Sequence, residues 1–115
     1  MFVCVATYRA KADEEDAIIA LHENWDLQQC IKADDNFSCE LLRGILDPRK
    51  FITIVHCQSK EIAQAVVNDL KQHGLYGRLE SLVEGELKCA DYTSEWQLHR
   101  KGAACCALSS FLPSS

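Results

Sequence analysis

Two stretches of this chain are apolar on both sides of a strand, and that limits its possible folds more than any motif does. Phe2 to Arg9 (FVCVATYR) sets Phe2, Cys4, Ala6 and Tyr8 on one side and Val3, Val5 and Thr7 on the other. Phe51 to Gln58 opens with the equally apolar run FITIVHC. Strands of this kind are covered on both faces. At 115 residues the chain has room for one domain. One layer of helices then covers one face of the sheet, and something else must cover the other.

The remaining elements follow from periodicity and punctuation. Asp13 is a candidate N-cap for a helix whose first turn carries Glu14, Glu15 and Asp16, where the helix dipole favours negative charge. Ile18, Leu21 and Trp25 form its apolar stripe, the helix fraying near Cys30 before the polar turn Ala33-Asp34-Asp35-Asn36. Phe37 to Leu42 and Phe51 to Gln58 read as a hairpin joined by a loop rich in turn residues, Arg43 to Lys50. Ser59 caps a second helix with Ile62, Val66 and Leu70 in one stripe, ended by His73-Gly74. A short helical segment carries Leu75, Leu79, Leu82 and Val83, with Gly85 as its stop. Leu87 to Thr93 is the last strand, so the domain is expected over 1–96, followed by a mobile tail over 97–115.

The order β-α-β-β-α-β predicts an α+β ferredoxin-like sandwich, with two helices lying on one face of a four-stranded antiparallel sheet. A second copy of the same sheet would cover the free face, giving a two-fold homodimer closed into an α+β barrel.

Composition excludes several classes of function. The net charge is -5, from 12 Lys and Arg against 17 Asp and Glu, which opposes sequence-independent binding to nucleic acid or to anionic lipid. An RNA-recognition domain shares the element order but needs exposed aromatics on a basic surface. No apolar run approaches the length of a membrane span. The N-terminus enters a strand at once, with no basic region and no cleavage site, so a secretory leader is not expected. The seven cysteines are odd in number and mostly lie in apolar strand-like runs. They read as reduced thiols of a cytoplasmic protein, not as a disulfide framework. The four strand cysteines (Cys4, Cys39, Cys57 and Cys89) lack a CxxC knuckle, and no metal is expected.

Phe2-Val-Cys-Val-Ala-Thr-Tyr-Arg9, the acidic helix start, Glu40-Leu-Leu-Arg43, Asp47-Pro-Arg-Lys-Phe51 and Gln58-Ser-Lys-Glu61 form one pattern. Together these stretches resemble the antibiotic-biosynthesis monooxygenase domain of the dimeric α+β barrel superfamily. The resemblance spans about Met1 to Trp96 and implies a homodimer with a cleft between sheet and helices in each subunit. It implies either a small cofactor-independent oxygenase acting on an aromatic or quinol-type molecule, or a non-catalytic homodimeric ligand- or protein-binding domain of the same fold. The haem-degrading branch of the family uses an Asn, a Trp and a His at positions that match Thr7, Cys57 and Glu80 here, so haem breakdown by that route is not expected.

A site for quinol chemistry needs an apolar slot, an aromatic wall and a base or donor near the phenolic oxygen. His22 and Trp25, three residues apart on one helix face, suit the roles of base and stacking wall; the same spacing also describes plain core packing. His56, inside FITIVHC, is a second candidate catalytic group. It also reads as a satisfied structural histidine, and it faces either the cleft or the dimer barrel according to register. Tyr76, between Gly74 and Gly77, and Thr7 are candidate substrate-binding residues, with Tyr8 and Tyr92 as further hydroxyls on strands. Arg43, Arg49 and Lys50 form a small basic cluster at the hairpin tip, which reads as a solvated loop.

Overall fold

A computed structural model describes residues 1–29 and 37–98, without the side chains of 26–29. The polar turn expected at 33–36, Cys30, and the segment 99–115 with Cys105 and Cys106 lie outside the described residues. The elements run β1 (Phe2–Ala10), α1 (Glu15–Gln29), β2 (Ser38–Arg43), β3 (Lys50–Cys57), α2 (Lys60–Gln72), α3 (Leu75–Ser81) and β4 (Val83–Thr93). The four strands form one antiparallel sheet in the order β2-β3-β1-β4, the α+β ferredoxin-like arrangement expected from the element order. No helix among the described residues is long and apolar enough to cross a membrane.

Two local expectations need correction. Asp13 does not cap α1: it sits in a turn with φ of 67°, closed by the Glu14 amide donating to the Lys11 carbonyl at 3.1 Å. Glu14 then occupies the cap position, its carbonyl accepting from the Ile18 amide at 3.2 Å. Gly85 does not end a helical segment before a strand at Leu87. The strand has already begun at Val83, and Gly85, at φ of 79°, lies inside it. The pairing of β1 with β4 shifts between Thr7 and Arg9, opposite that glycine. A left-handed residue is what such an irregularity requires, and glycine adopts it without a Cβ clash. By contrast Ser59 caps α2 as expected, its hydroxyl accepting from the Ile62 amide at 3.3 Å. Gly74, at φ of 75°, breaks α2 from α3.

The pleat sorts the sheet into two faces. Tyr8, Ala10, Phe51 and Val83 pack with Ile18 of α1 into the hydrophobic core on the helix-covered face. Phe51 and Ile18 are fully buried, and each such side chain contributes about 2–3 kcal/mol. Tyr8 and Phe51 are cross-strand partners whose rings stack with centroids 6.1 Å apart. On the opposite face the register aligns Val3, Val5, Ile52, Ile54, Ala90 and Tyr92 across three strands, with Leu42 of β2 beside Ile52. No described element covers this second apolar face, and Tyr92 and Leu42 on it are exposed.

The hairpin tip is held by its charges. The Arg43 Nε donates to the Pro48 carbonyl at 2.7 Å, Arg9 pairs with Asp47, and Arg49 pairs with Glu84 at 2.6 Å while donating to the Ala10 carbonyl at 2.9 Å. Within the basic cluster Arg49 therefore ties the hairpin to β1 and β4, and Arg43 closes the hairpin's own loop.

Candidate functional site

Between the helix-covered face of the sheet and the three helices lies an apolar cavity of about 120 Å³. Cys4, Thr53 and Cys89 rise from the sheet, His22 and Trp25 descend from α1, and Tyr76 comes from α3. Aliphatic side chains of α2, α3 and the strands make up the rest of the wall. The alternation of β1 and β3 explains the sheet contribution: Cys4 and Ala6 are opposite Val55 and Thr53, all four on the cavity side.

A polar cluster lies behind this almost wholly apolar lining. The Nδ1 of His22 lies 2.9 Å from the Ile18 carbonyl, one helical turn earlier. A carbonyl only accepts, so Nδ1 carries the proton and donates, and in the neutral ring Nε2 presents a lone pair. Nε2 lies 3.2 Å from Thr53 Oγ1 and 3.4 Å from the Tyr8 hydroxyl, and those two oxygens are 2.8 Å apart. His22 is buried, and its ring stands at 88° to that of Trp25 with centroids 6.3 Å apart. Burial pushes the Tyr8 hydroxyl up to about 12, against a lowering by its hydrogen bond to Thr53, so Tyr8 enters the cluster as a neutral phenol. Trp25 is buried and its Nε1 has no hydrogen-bond partner among the described residues.

The thiols of the cavity are held neutral. Burial, followed by the charge of nearby Asp91, raises Cys4 to about 11. The same two causes raise Cys89, with Lys71 opposing them. Thiolate, not thiol, is the nucleophile and metal ligand, so neither group is prepared for either task. No group of three or more His, Cys, Asp or Glu side chains able to hold a metal forms among the described residues. Burial also raises Tyr76, whose ring lies 5.1 Å beneath the Lys71 ammonium.

Of the residues singled out in the sequence, His22, Trp25 and Tyr76 come together around the cavity. Thr7 and His56 do not join them. Thr7 pairs with Ile52 and His56 pairs with Val3 and Ser38, all on the other face of the sheet. Their positions are one residue out of phase with Ala6 and Val55, and in a strand that reverses the face. Thr53 and Tyr8 complete the polar cluster. Thr53 is the lone hydroxyl among Phe51, Thr53, Val55 and Cys57, the side of β3 that faces the helices, and that isolation is the signal by which it could have been found.

No protein-family model matches this chain, and no curated protein matches it. Solved structures do. Rv0793 from Mycobacterium tuberculosis aligns with a TM-score of 0.70 at 12% identity, over 85% of this chain and 98% of its own. A structure titled antibiotic biosynthesis monooxygenase aligns with a TM-score of 0.70 at 12% identity, over 82% of this chain and 98% of its own. SnoaB, a cofactor-independent oxygenase from Streptomyces nogalater, aligns with a TM-score of 0.66 at 13% identity, over 86% of this chain and 97% of its own. At these identities the likeness is one of fold. The resemblance read from the sequence therefore stands as a shared fold with proteins named antibiotic biosynthesis monooxygenases.

Proposed function

We propose that this chain is a small oxygenase of the antibiotic-biosynthesis monooxygenase kind, acting without a cofactor on an aromatic or quinol-type molecule bound in the helix-covered cavity. The observation that carries this reading is His22: a buried imidazole in the wall of an apolar cavity, its proton held on Nδ1 by the Ile18 carbonyl and its Nε2 turned to the Thr53 and Tyr8 hydroxyls. A base in that setting removes the proton of a phenolic hydroxyl. The resulting anion is electron-rich enough to reduce oxygen. A phenol with a free ring position and O2 then give a quinone and water: one oxygen atom replaces hydrogen on the ring carbon, the other leaves as water, and all four electrons come from the substrate.

The same reading makes the chain a homodimer. Val3, Val5, Ile52, Ile54, Ala90 and Tyr92 form a face that a second copy, presenting the same residues about a two-fold axis, would bury. His56 and Thr7 would then lie in the interface, not in the cavity.

Oxygen consumption by the purified protein with a panel of hydroxylated aromatics tests the proposal. Uptake with one oxygen atom of 18O2 in the product, lost in His22→Gln, is the expected result; no uptake across the panel overturns it. A second reading is favoured by the fact that both ring nitrogens of His22 are already engaged: a non-catalytic domain that binds a small molecule in the same cavity. It predicts binding with no uptake of oxygen.

A further inference from the structure

The pairing register sorts the charges on the sheet face that no described element covers. Glu40 of β2 lies in one row with Ile54, Val5 and Ala90. Lys88 of β4 lies in the next row, with Thr7, Ile52 and Leu42. Because β2 and β4 are the two edge strands, an anion stands at one edge of this face and a cation at the other, with a nearly aliphatic centre between them. Glu40 and Lys88 are both exposed, and neither forms an ion pair among the described residues. Arg9, Lys50 and Glu84 lie on the same side at its hairpin end, where Arg9 pairs with Asp47 and Glu84.

A second copy laid on this face about a two-fold axis, with its strands nearly aligned to the first, has two arrangements open to it. With the axis running across the strands, each edge meets its own kind. The β2 edge with Glu40 then lies on the partner's β2, and the β4 edge with Lys88 lies on the partner's β4. With the axis running along the strands, the edges exchange, and β2 lies on the partner's β4. Glu40 then faces the row of the partner's Ala90, two residues along the strand from the partner's Lys88. Packed sheets lie about 10 Å apart, and two residues span about 7 Å of strand, a gap that a glutamate and a lysine side chain close between them. The aliphatic centre fits either arrangement, so the charges decide.

We infer that the two copies join with the two-fold axis along the strands, so that Glu40 of each pairs with Lys88 of the other at both edges of the interface. This rests on the homodimer proposed above. Burial of the aliphatic centre supplies the affinity, and the two ion pairs supply the direction. An ion pair at an exposed edge adds little by itself, but the alternative arrangement sets like charges against each other, which is costly.

Charge reversal tests the pairing. The dimer dissociation constant of the full chain is measured by fluorescence-detected sedimentation for the wild type, Glu40→Lys, Lys88→Glu and the double variant, each checked for a native circular-dichroism spectrum. Each single variant places two like-charge contacts in its dimer, and its dissociation constant is expected to rise about 100-fold, about tenfold for each contact. The double variant is expected to return to near the wild-type value. So is an equal mixture of the two single variants, because one copy then carries two lysines and the other two glutamates at these positions. Unchanged dissociation constants in the single variants, or a mixture of folded single variants that associates no better than either alone, overturn the inference. A wild-type dimer insensitive to these charges leaves the proposed homodimer standing while removing the pairing. A wild type that stays monomeric removes both.

Discussion

His22 donates from Nδ1 to the carbonyl of Ile18, four residues earlier on the same helix, at 2.9 Å. A helix carbonyl that already accepts within its own ladder has a second lone pair to offer, and an i to i−4 histidine is within reach of it. The bond fixes both the rotamer of the ring and the nitrogen left to accept. A 15N spectrum of the histidine side chains is expected to show a proton on Nδ1 and a lone pair on Nε2 in the neutral form of His22. The opposite tautomer would contradict the hydrogen bond to Ile18. Replacing His22 by Gln removes the base, and oxygen uptake is expected to fall by about 100-fold or more, with a stability cost of about 1–2 kcal/mol from the lost hydrogen bonds.

Trp25 lies beside His22 with a different balance. Its indole is buried, yet Nε1 has no hydrogen-bond partner among the described residues, and an unpaired buried donor costs about 1–3 kcal/mol. Trp25→Phe gives up packed area and that penalty together. Its net effect is expected to stay within about 1 kcal/mol of the wild type, whereas Trp25→Ala is expected to cost about 3–5 kcal/mol. Urea denaturation of the two variants measures both. A large loss in Trp25→Phe would mean that the N–H is paired in solution.

Much of this was legible in the sequence, and the limits have physical causes. Alternation alone placed Phe2, Cys4, Ala6 and Tyr8 on one face of the first strand, and helical spacing placed His22 with Trp25. Both are periodicities within one element. Thr7 and His56 were ambiguous because their side depends on which face the helices take, a tertiary fact that shifts with parity of one residue. The start of β4 was hidden because Leu79, Leu82 and Val83 keep helical spacing and Gly85 resembles a stop. In the fold, that glycine instead relieves a register shift inside a continuous strand. The Thr53 hydroxyl drew no notice because a threonine in an apolar strand is ordinary until its neighbours across the cavity are known.

The two glycines around that region make a paired prediction. Gly77 lies within α3 with no atom near the position of an added Cβ, and its φ is not in the left-handed range. Gly77→Ala is expected to stabilise the protein by about 0.4–1 kcal/mol, by narrowing the unfolded ensemble. Gly85 has equal space but a φ of 79°, so Gly85→Ala forces an L side chain into the left-handed region. It is expected to destabilise by about 1–2 kcal/mol. Thermal melts of the two variants should shift in opposite directions; shifts of the same sign would contradict the strand assignment of Gly85.

The sheet face that no described element covers supports a prediction about assembly. Ile54 sits near its middle, opposite Val5 on β1 and Glu40 on β2. A glutamate there sets a second carboxylate directly across from Glu40 on each side of the two-fold interface, a like-charge pair with no cation among its paired neighbours. Ile54→Glu is expected to sediment as a folded monomer with native circular dichroism, while the wild type sediments as a dimer. A wild-type monomer, or a dimer that survives the glutamate, would show that this face does not join two copies.

Alkaline pH should loosen the fold through the cavity's own groups. Burial raises Cys4 from 9.0 to about 11 and Tyr8 from 10.0 to about 12. In the unfolded chain these groups release their protons near pH 9 and 10, while in the native state they hold them. Above pH 9 the native state therefore binds more protons than the unfolded state, and stability falls as pH rises. The loss begins near pH 9 with Cys4, continues through Tyr8 and is complete near pH 12; below pH 9 these groups add no slope. Tyr8 is the more enclosed of the two and accounts for about 2 kcal/mol of the drop, with Cys4, half-buried, contributing less than its shift implies. Urea unfolding at pH 8, 9, 10 and 11 should trace the decline, and Tyr8→Phe should flatten its upper part. A curve of the same slope in Tyr8→Phe would mean that Tyr8 ionises as freely in the folded protein as in the unfolded chain, and its burial would then carry no cost at alkaline pH.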